Sequence, residues 1–173
     1  MQNCEQMKGM SVYEHGVDVM KHTFQLINGE HENFKLPSWW DDKILDHIHD
    51  HETIKNYTIF HDCGKPYCLE YDEDGCKHFP DHANVSHKVW TKFHDNQDVA
   101  NLIKLDMVLH TETAEQIKSR NIDKKTLLTL LVVALAELHS NARMFGGIES
   151  TSFKIKWKKL QRRGNMILKE LEL

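Results

Sequence analysis

The sequence predicts an all-α fold, a single domain spanning residues 1–173 and built as a bundle of six to eight helices. Three observations predict it. Helix breakers are scarce, with 3 prolines and 8 glycines in 173 residues. Apolar residues recur at three- to four-residue spacing through most of the chain. One segment, carrying Leu127, Leu128, Leu130, Leu131, Val132, Val133 and Leu135, is apolar nearly all round, as the most buried helix of a bundle should be.

The elements follow in order. Val12 to Ile27 reads as a helix with an apolar stripe of Val12, Val19, Met20, Phe24 and Ile27, stopped by Asn28-Gly29. Ser38 is placed to cap a second helix that opens Trp39-Trp40-Asp41-Asp42, with acidic residues in its first turn. A third helix runs up to His61-Asp62. Residues 67–79 differ: short alternating segments flank Asp72-Glu73-Asp74-Gly75, and Asp-Gly between such segments predicts a small hairpin or ordered loop. After Pro80 helix resumes at His82 and runs to about His94. Further helices are expected over Asp98–His110, Ala114–Ser119, Lys124–Asn141 and Ser152–Leu171.

Bulk properties narrow the function. The net charge is −4 with His neutral, so no global polycation points to nucleic-acid coating. No uninterrupted apolar run reaches the roughly 18–20 residues that span a bilayer, and the first residues lack a signal pattern. A cytoplasmic protein is expected. The four cysteines, Cys4, Cys63, Cys68 and Cys76, form no CxxC pair and read as reduced thiols.

The abnormal number is 13 histidines, dispersed rather than tagged together. His61-Asp62-Cys63-Gly64-Lys65-Pro66 sets two metal-ligand side chains side by side. Neighbours on a helix point about 100° apart, so both reach one ion only where the helix is ending. Gly64, through a left-handed backbone, and Pro66 supply that ending. His15 lies between Val12 and Val19 on their face. His82 opens a helix, and His110 closes another. Glu137 sits inside the most apolar helix, where an uncompensated charge is costly. Each of these helices presents one ligand-type group, and a bundle that converges such groups builds a metal site. His47, His49 and His51 alternate within an expected exposed helix and read as surface residues. His22, His31, His87 and His94 are placed on the surface or behind the ligands, with His87 nearest to the site.

The order His15, His61-Asp62, His82, His110, Glu137 resembles the HD superfamily of metal-dependent phosphohydrolases. His61-Asp62-Cys63-Gly64-Lys65-Pro66 is close to its HDxGKP signature, and Glu14 to Val19 resembles its opening histidine helix. His78 to Ser86 resembles the segment that supplies a further histidine in HD-GYP phosphodiesterases and the HD domain of bacterial tRNA nucleotidyltransferases. Ala136 to Ala142 looks like the closing segment. There this chain has Glu137 where the family has Asp. The extra methylene moves the carboxylate by about 1.5 Å, which leaves the closing ligand open among Glu137, His139 and Asp106.

The resemblance implies one or two divalent transition ions, of the Mn, Fe, Co, Ni or Zn type that imidazole and carboxylate donors suit. His15, His61, Asp62 and Glu137 would hold the first. His82 and His110, with Asp62 bridging, would hold a second. Asp62 and Lys65 would be catalytic, and Lys65, Asn141 and Arg143 would bind substrate phosphate. The activity implied is hydrolysis of a phosphomonoester or phosphodiester: a nucleotide, a cyclic nucleotide or an RNA end. A nucleotide triphosphohydrolase or nucleotidase of the same superfamily is the nearer alternative, and a non-catalytic metal- or nucleotide-binding module the farther one. Two features fall outside that set. Trp39-Trp40 offers rings for core packing or for stacking a base. Lys154, Lys156, Lys158, Lys159, Arg162 and Arg163 make the last helix basic, a solvated face or a guide for a polyanion.

Overall fold

The computed structural model describes residues 1–172, the side chain of Ala114 excepted. The fold is all-α, with 64% helix, 5% strand and eight α-helices among the described residues. Two compact units are distinguished: Met1–Met20 with Asp50–Met107, and Lys21–His49 with the chain from Val108 onward.

The first unit opens with a hairpin of β1 (Glu5–Met7) and β2 (Met10–Ser11), turned at Gly9 with φ +77°. The helix α1 (Val12–Ile27) follows and α2 (His51–Phe60) comes next in this unit. The Asp50 side chain caps α2 by accepting the N–H groups of Glu52 and Thr53. The expected hairpin in residues 67–79 is present: β3 (Glu70–Tyr71) pairs antiparallel with β4 (Lys77–His78) around Gly75. Next come α3 (His82–Phe93) and α4 (Gln97–Leu105), which pack on each other. Ile54, Tyr57, Val99, Leu102 and Ile103 form the core of this unit.

The second unit contains α5 (Val108–Thr111), α6 (Ala114–Ser119), α7 (Lys124–Ser140) and α8 (Thr151–Glu170), with short 3-10 helices at Asp42–His47 and Asn141–Phe145. The helix α7 is buried nearly all round, as its composition predicts. With its extension it is also long and apolar enough to cross a membrane by length and composition, and 78% of that window is buried within the protein. The inner face of α8 carries Phe153, Leu160, Gly164 and Ile167. A Cβ at Gly164 would overlap the indole of Trp39, so the ring lies directly on the helix backbone.

Four expectations are corrected here. Ser38 caps no helix: the chain turns from Pro37 to Trp40, and Asp41 caps a 3-10 helix instead. Burial of Trp39 against Gly164 sets that path. The helix expected over Asp98–His110 breaks at Asp106-Met107, where Asp106 N–H reaches back to Ile103 and its carboxylate accepts the Tyr57 hydroxyl at 2.6 Å. His49 is buried, because the 3-10 helix ends at His47 and extended backbone turns alternate residues inward. Its ring contacts Thr126 Oγ1 at 3.3 Å. The buried stripe of α1 runs through Val12, His15, Gly16, Val19, Thr23 and Leu26, while Met20, Phe24 and Ile27 are half-buried.

His139, offered as an alternative ligand, is committed elsewhere. Nδ1–H donates to Leu135 O at 2.9 Å, and Nε2 accepts Lys35 N–H at 2.9 Å. Burial pushes its pKa below the ordinary imidazole value. The folded value therefore lies below the unfolded one, so the unfolded chain takes the proton first. This contribution to stability is complete above about pH 6.5 and is lost as pH falls through it. Urea midpoints followed from about pH 8 to pH 5 should drop more steeply for the parent than for His139→Gln; equal slopes would contradict this role.

Candidate metal centre

The first unit assembles a cluster around one carboxylate. α1 presents His15 on its buried face, and the next residue, Gly16, lets the helix approach α2: a Cβ there would overlap the Ile59 carbonyl. α2 ends at Phe60, so His61 and Asp62 stand at its closing turn, as their adjacency requires. α3 starts with His82, behind Asp81 in the left-handed region at φ 53°.

The role of Gly64 differs from the one expected. Its backbone is right-handed, at φ −83° and ψ −18°. It is needed for closeness: a Cβ would overlap the backbone of Val85 and Ser86 in α3. Gly64 N–H donates to Ser86 Oγ at 2.8 Å, and Cys63 Sγ contacts Ser86 O at 3.4 Å. These contacts join the His61-Asp62 turn to the helix that carries His82.

The imidazoles are oriented by carbonyls. His61 Nδ1 lies 2.8 Å from Thr58 O, and His82 Nδ1 lies 3.1 Å from Phe79 O. A carbonyl oxygen only accepts, so each Nδ1 carries a proton and each ring turns its Nε2 toward Asp62. His61 Nε2 is 3.3 Å and His15 Nε2 3.8 Å from Asp62 Oδ2, while His82 Nε2 is 3.7 Å from Oδ1. An Nε2 that faces a carboxylate is held there by a cation or a proton between them.

A tetrahedral ion with ligand bonds of about 2.0–2.1 Å separates its ligand atoms by about 3.3 Å. The His61–Asp62 spacing of 3.3 Å matches that edge, and the other two, at 3.8 and 3.7 Å, are wider by about half an ångström. Outer carbonyls that fix the second ring nitrogen are what metal-ligating histidines use. Asp62 Oδ1 is buried and has no hydrogen-bond partner. The donor set thus fits a divalent ion, and His15 and His61 belong to a group of side chains that could hold one.

Lys65 is part of the same cluster. It is buried, with Nζ 2.6 Å from Asp62 Oδ2 and 3.0 Å from Gln6 Oε1, above the Phe79 ring. Burial would raise the Asp62 carboxyl, but the charges of His61 and Lys65 outweigh it and hold the group well below the usual carboxylate range. Asp62 is therefore ionised across physiological pH. Burial pushes the Cys63 thiol up to about 11, so without a metal it is a neutral thiol at physiological pH.

Of the other expected site residues, His110, Glu137, Asn141 and Arg143 belong to the second unit. Glu137 is half-buried on α7 and accepts from Asn141 Nδ2 at 3.3 Å. Arg143 is exposed. His110 is exposed as well, so it is not one of the buried imidazoles; the end of α5 turns its side chain to solvent while its carbonyl accepts from Lys159. Asp106, the other alternative ligand, binds Tyr57. Trp39 is core and Trp40 is half-buried. His87 is half-buried on α3, its pKa lowered by burial and by Lys104.

Sequence reasoning missed Gln6 and Ser86. No local pattern marks Gln6, which reaches Lys65 from the N-terminal hairpin. Ser86 lies one turn past His82, and no local pattern marks it as the partner of Gly64, 22 residues away. No protein-family model, curated protein or solved structure matches this chain.

Proposed function

We propose that the chain is a metal-dependent phosphohydrolase acting on a phosphate ester of a nucleotide or of a nucleic-acid end. The observation that carries this reading is Asp62, a buried carboxylate whose two oxygens face three imidazole Nε2 atoms. The HDxGKP-like motif and the helix order add the family reading, an HD-type enzyme.

His15, His61 and Asp62 Oδ2 would hold one ion. His82 approaches the other oxygen, which supports a bridging role for Asp62 toward a second. When bound, such an ion supplies Lewis acidity and brings the pKa of water toward neutrality. The protein's own groups orient and neutralise. Thr58 and Phe79 carbonyls hold the rings of His61 and His82. Lys65, steadied by Gln6, places a cation beside the carboxylate and is assigned to a phosphate oxygen. Glu137 as closing ligand, His110 at the second ion, and Asn141 and Arg143 as phosphate contacts keep the roles that the resemblance gives them. The unpaired cysteines agree with action in a reducing cytosol.

A panel of nucleotides, 2′,3′-cyclic nucleotides and an aryl phosphodiester, each with Mn²⁺, Co²⁺, Ni²⁺ or Zn²⁺, tests the proposal. Turnover is expected with metal and not with chelator, and His61→Ala should lose at least about 100-fold in kcat/KM, about 2.7 kcal/mol of transition-state stabilisation. Equal rates for parent and variant would end the enzyme reading. One observation favours a second reading: Lys65 Nζ at 2.6 Å already neutralises Asp62, as a purely structural ion pair would. That reading predicts no metal uptake and no effect of chelator on stability.

A further inference from the structure

The basic run of α8 is not absorbed by the proposed chemistry. Seven of the 22 Lys and Arg residues lie from Lys154 to Lys169, with no carboxylate among them, so the rest of the chain holds 15 basic against 26 acidic residues. The asymmetry has a shape. Ile155, Lys158, Lys159, Arg162 and Arg163, spaced at helical repeats on one face, line a concavity of about 470 Å³.

The charge there is fixed and uncompensated. Lys159 Nζ donates to His110 O at 2.7 Å, and Arg163 donates to Leu109 O and to Glu112 O. All three acceptors are neutral carbonyls at the C-terminal end of α5. The nearby carboxylates are engaged elsewhere: Glu112 with Arg120, Glu149 with Lys154 and Glu170 with Lys118. Among the described ion pairs none reaches Lys158, Lys159, Arg162 or Arg163. Burial and the charges of Arg163 and Lys156 lower the Lys159 pKa, as expected where cations crowd without an anion.

The surroundings select among polyanions. A helix that binds a membrane surface keeps an apolar face for lipid. Here Phe153, Leu160, Gly164, Ile167 and Leu168 are buried, which leaves Ile155 as the exposed large apolar group of this helix. Single-stranded nucleic acid is held by stacking rings. The concavity has no ring, and Trp157 is occupied, with Nε1 donating to Lys35 O and Lys35 over its face.

We propose that the Lys158–Arg163 face of α8 binds the phosphate backbone of duplex nucleic acid without sequence preference. This goes beyond the phosphohydrolase reading and does not depend on it. The test is fluorescence anisotropy of the full chain with labelled duplexes of unrelated sequence, from about 50 to 200 mM salt. Expected are affinities of about 10⁻⁴–10⁻⁶ M with a log–log salt slope near −3 to −4 for about four phosphate contacts. Lys158→Gln with Arg162→Gln, both exposed, should reduce the slope by about two and weaken binding at least tenfold. Lys158→Arg with Arg162→Lys should bind like the parent, and so should Lys55→Gln with Lys88→Gln, exposed lysines elsewhere. Thermal unfolding of each variant verifies its fold. The proposal is overturned if duplex does not bind at low salt, if the two glutamine pairs weaken binding equally, or if single strands or phosphatidylserine vesicles bind more tightly than duplex. Because metal uptake and hydrolysis are read separately, failure here leaves the metal centre standing.

Discussion

Asp62→Ala is expected to abolish metal uptake, with at least about a 100-fold loss of affinity, and to destabilise the metal-free protein by about 3–5 kcal/mol. Both effects come from one oxygen atom. Asp62 Oδ2 is the common neighbour of His15, His61 and Lys65. Lys65 is buried, and removing the carboxylate leaves its ammonium inside the protein with an amide oxygen of Gln6 as its remaining named polar contact. Asp62→Asn separates the two roles. An amide keeps an oxygen for Lys65 but has no charge for a cation, so stability should suffer less than in Asp62→Ala while metal affinity falls as far. Urea unfolding without metal and dialysis with metal give the two numbers. An Asp62→Ala protein as stable as the parent would show that the Lys65 pair is not what steadies this turn.

Gly64→Ala should cost about 1–3 kcal/mol and weaken metal binding as well. The sign is decided by space. At φ −83° the backbone suits alanine, and without a clash the change would stabilise by about 0.4–1 kcal/mol through the unfolded chain. The new Cβ, however, would overlap Ser86 N and Val85 C, backbone atoms of α3 that cannot swing aside. Moving α3 away displaces His82 at its first turn. A Gly64→Ala protein that is more stable than the parent and binds metal equally well would contradict the close approach.

Much of this was readable in the residues. Periodicity and caps locate α1, α6, α7 and α8 within a residue or two, because their apolar faces and end signals are local. Asp-Gly between short segments marks the hairpin for the same reason. The adjacency of His61 and Asp62 demands a helix end, and α2 ends there. What escaped depends on partners distant in sequence. The kink at Asp106 answers to Tyr57, the path at Trp39 to Gly164, and the tautomer of His139 to Lys35. Gly64 was assigned a turn role that glycine often plays, whereas its environment asks for an absent side chain. The exposure of His110 is likewise set by its place in the fold and by nothing local to it.

The central claim is that the His15, His61, Asp62 and His82 cluster is a divalent metal site. Equilibrium dialysis against Co²⁺ or Mn²⁺ followed by elemental analysis tests it most directly. The account predicts at least one ion retained per chain in the parent and none in Asp62→Ala. Equal metal content in parent and variant, or none in either while the Lys65–Asp62 pair stays intact, would contradict it.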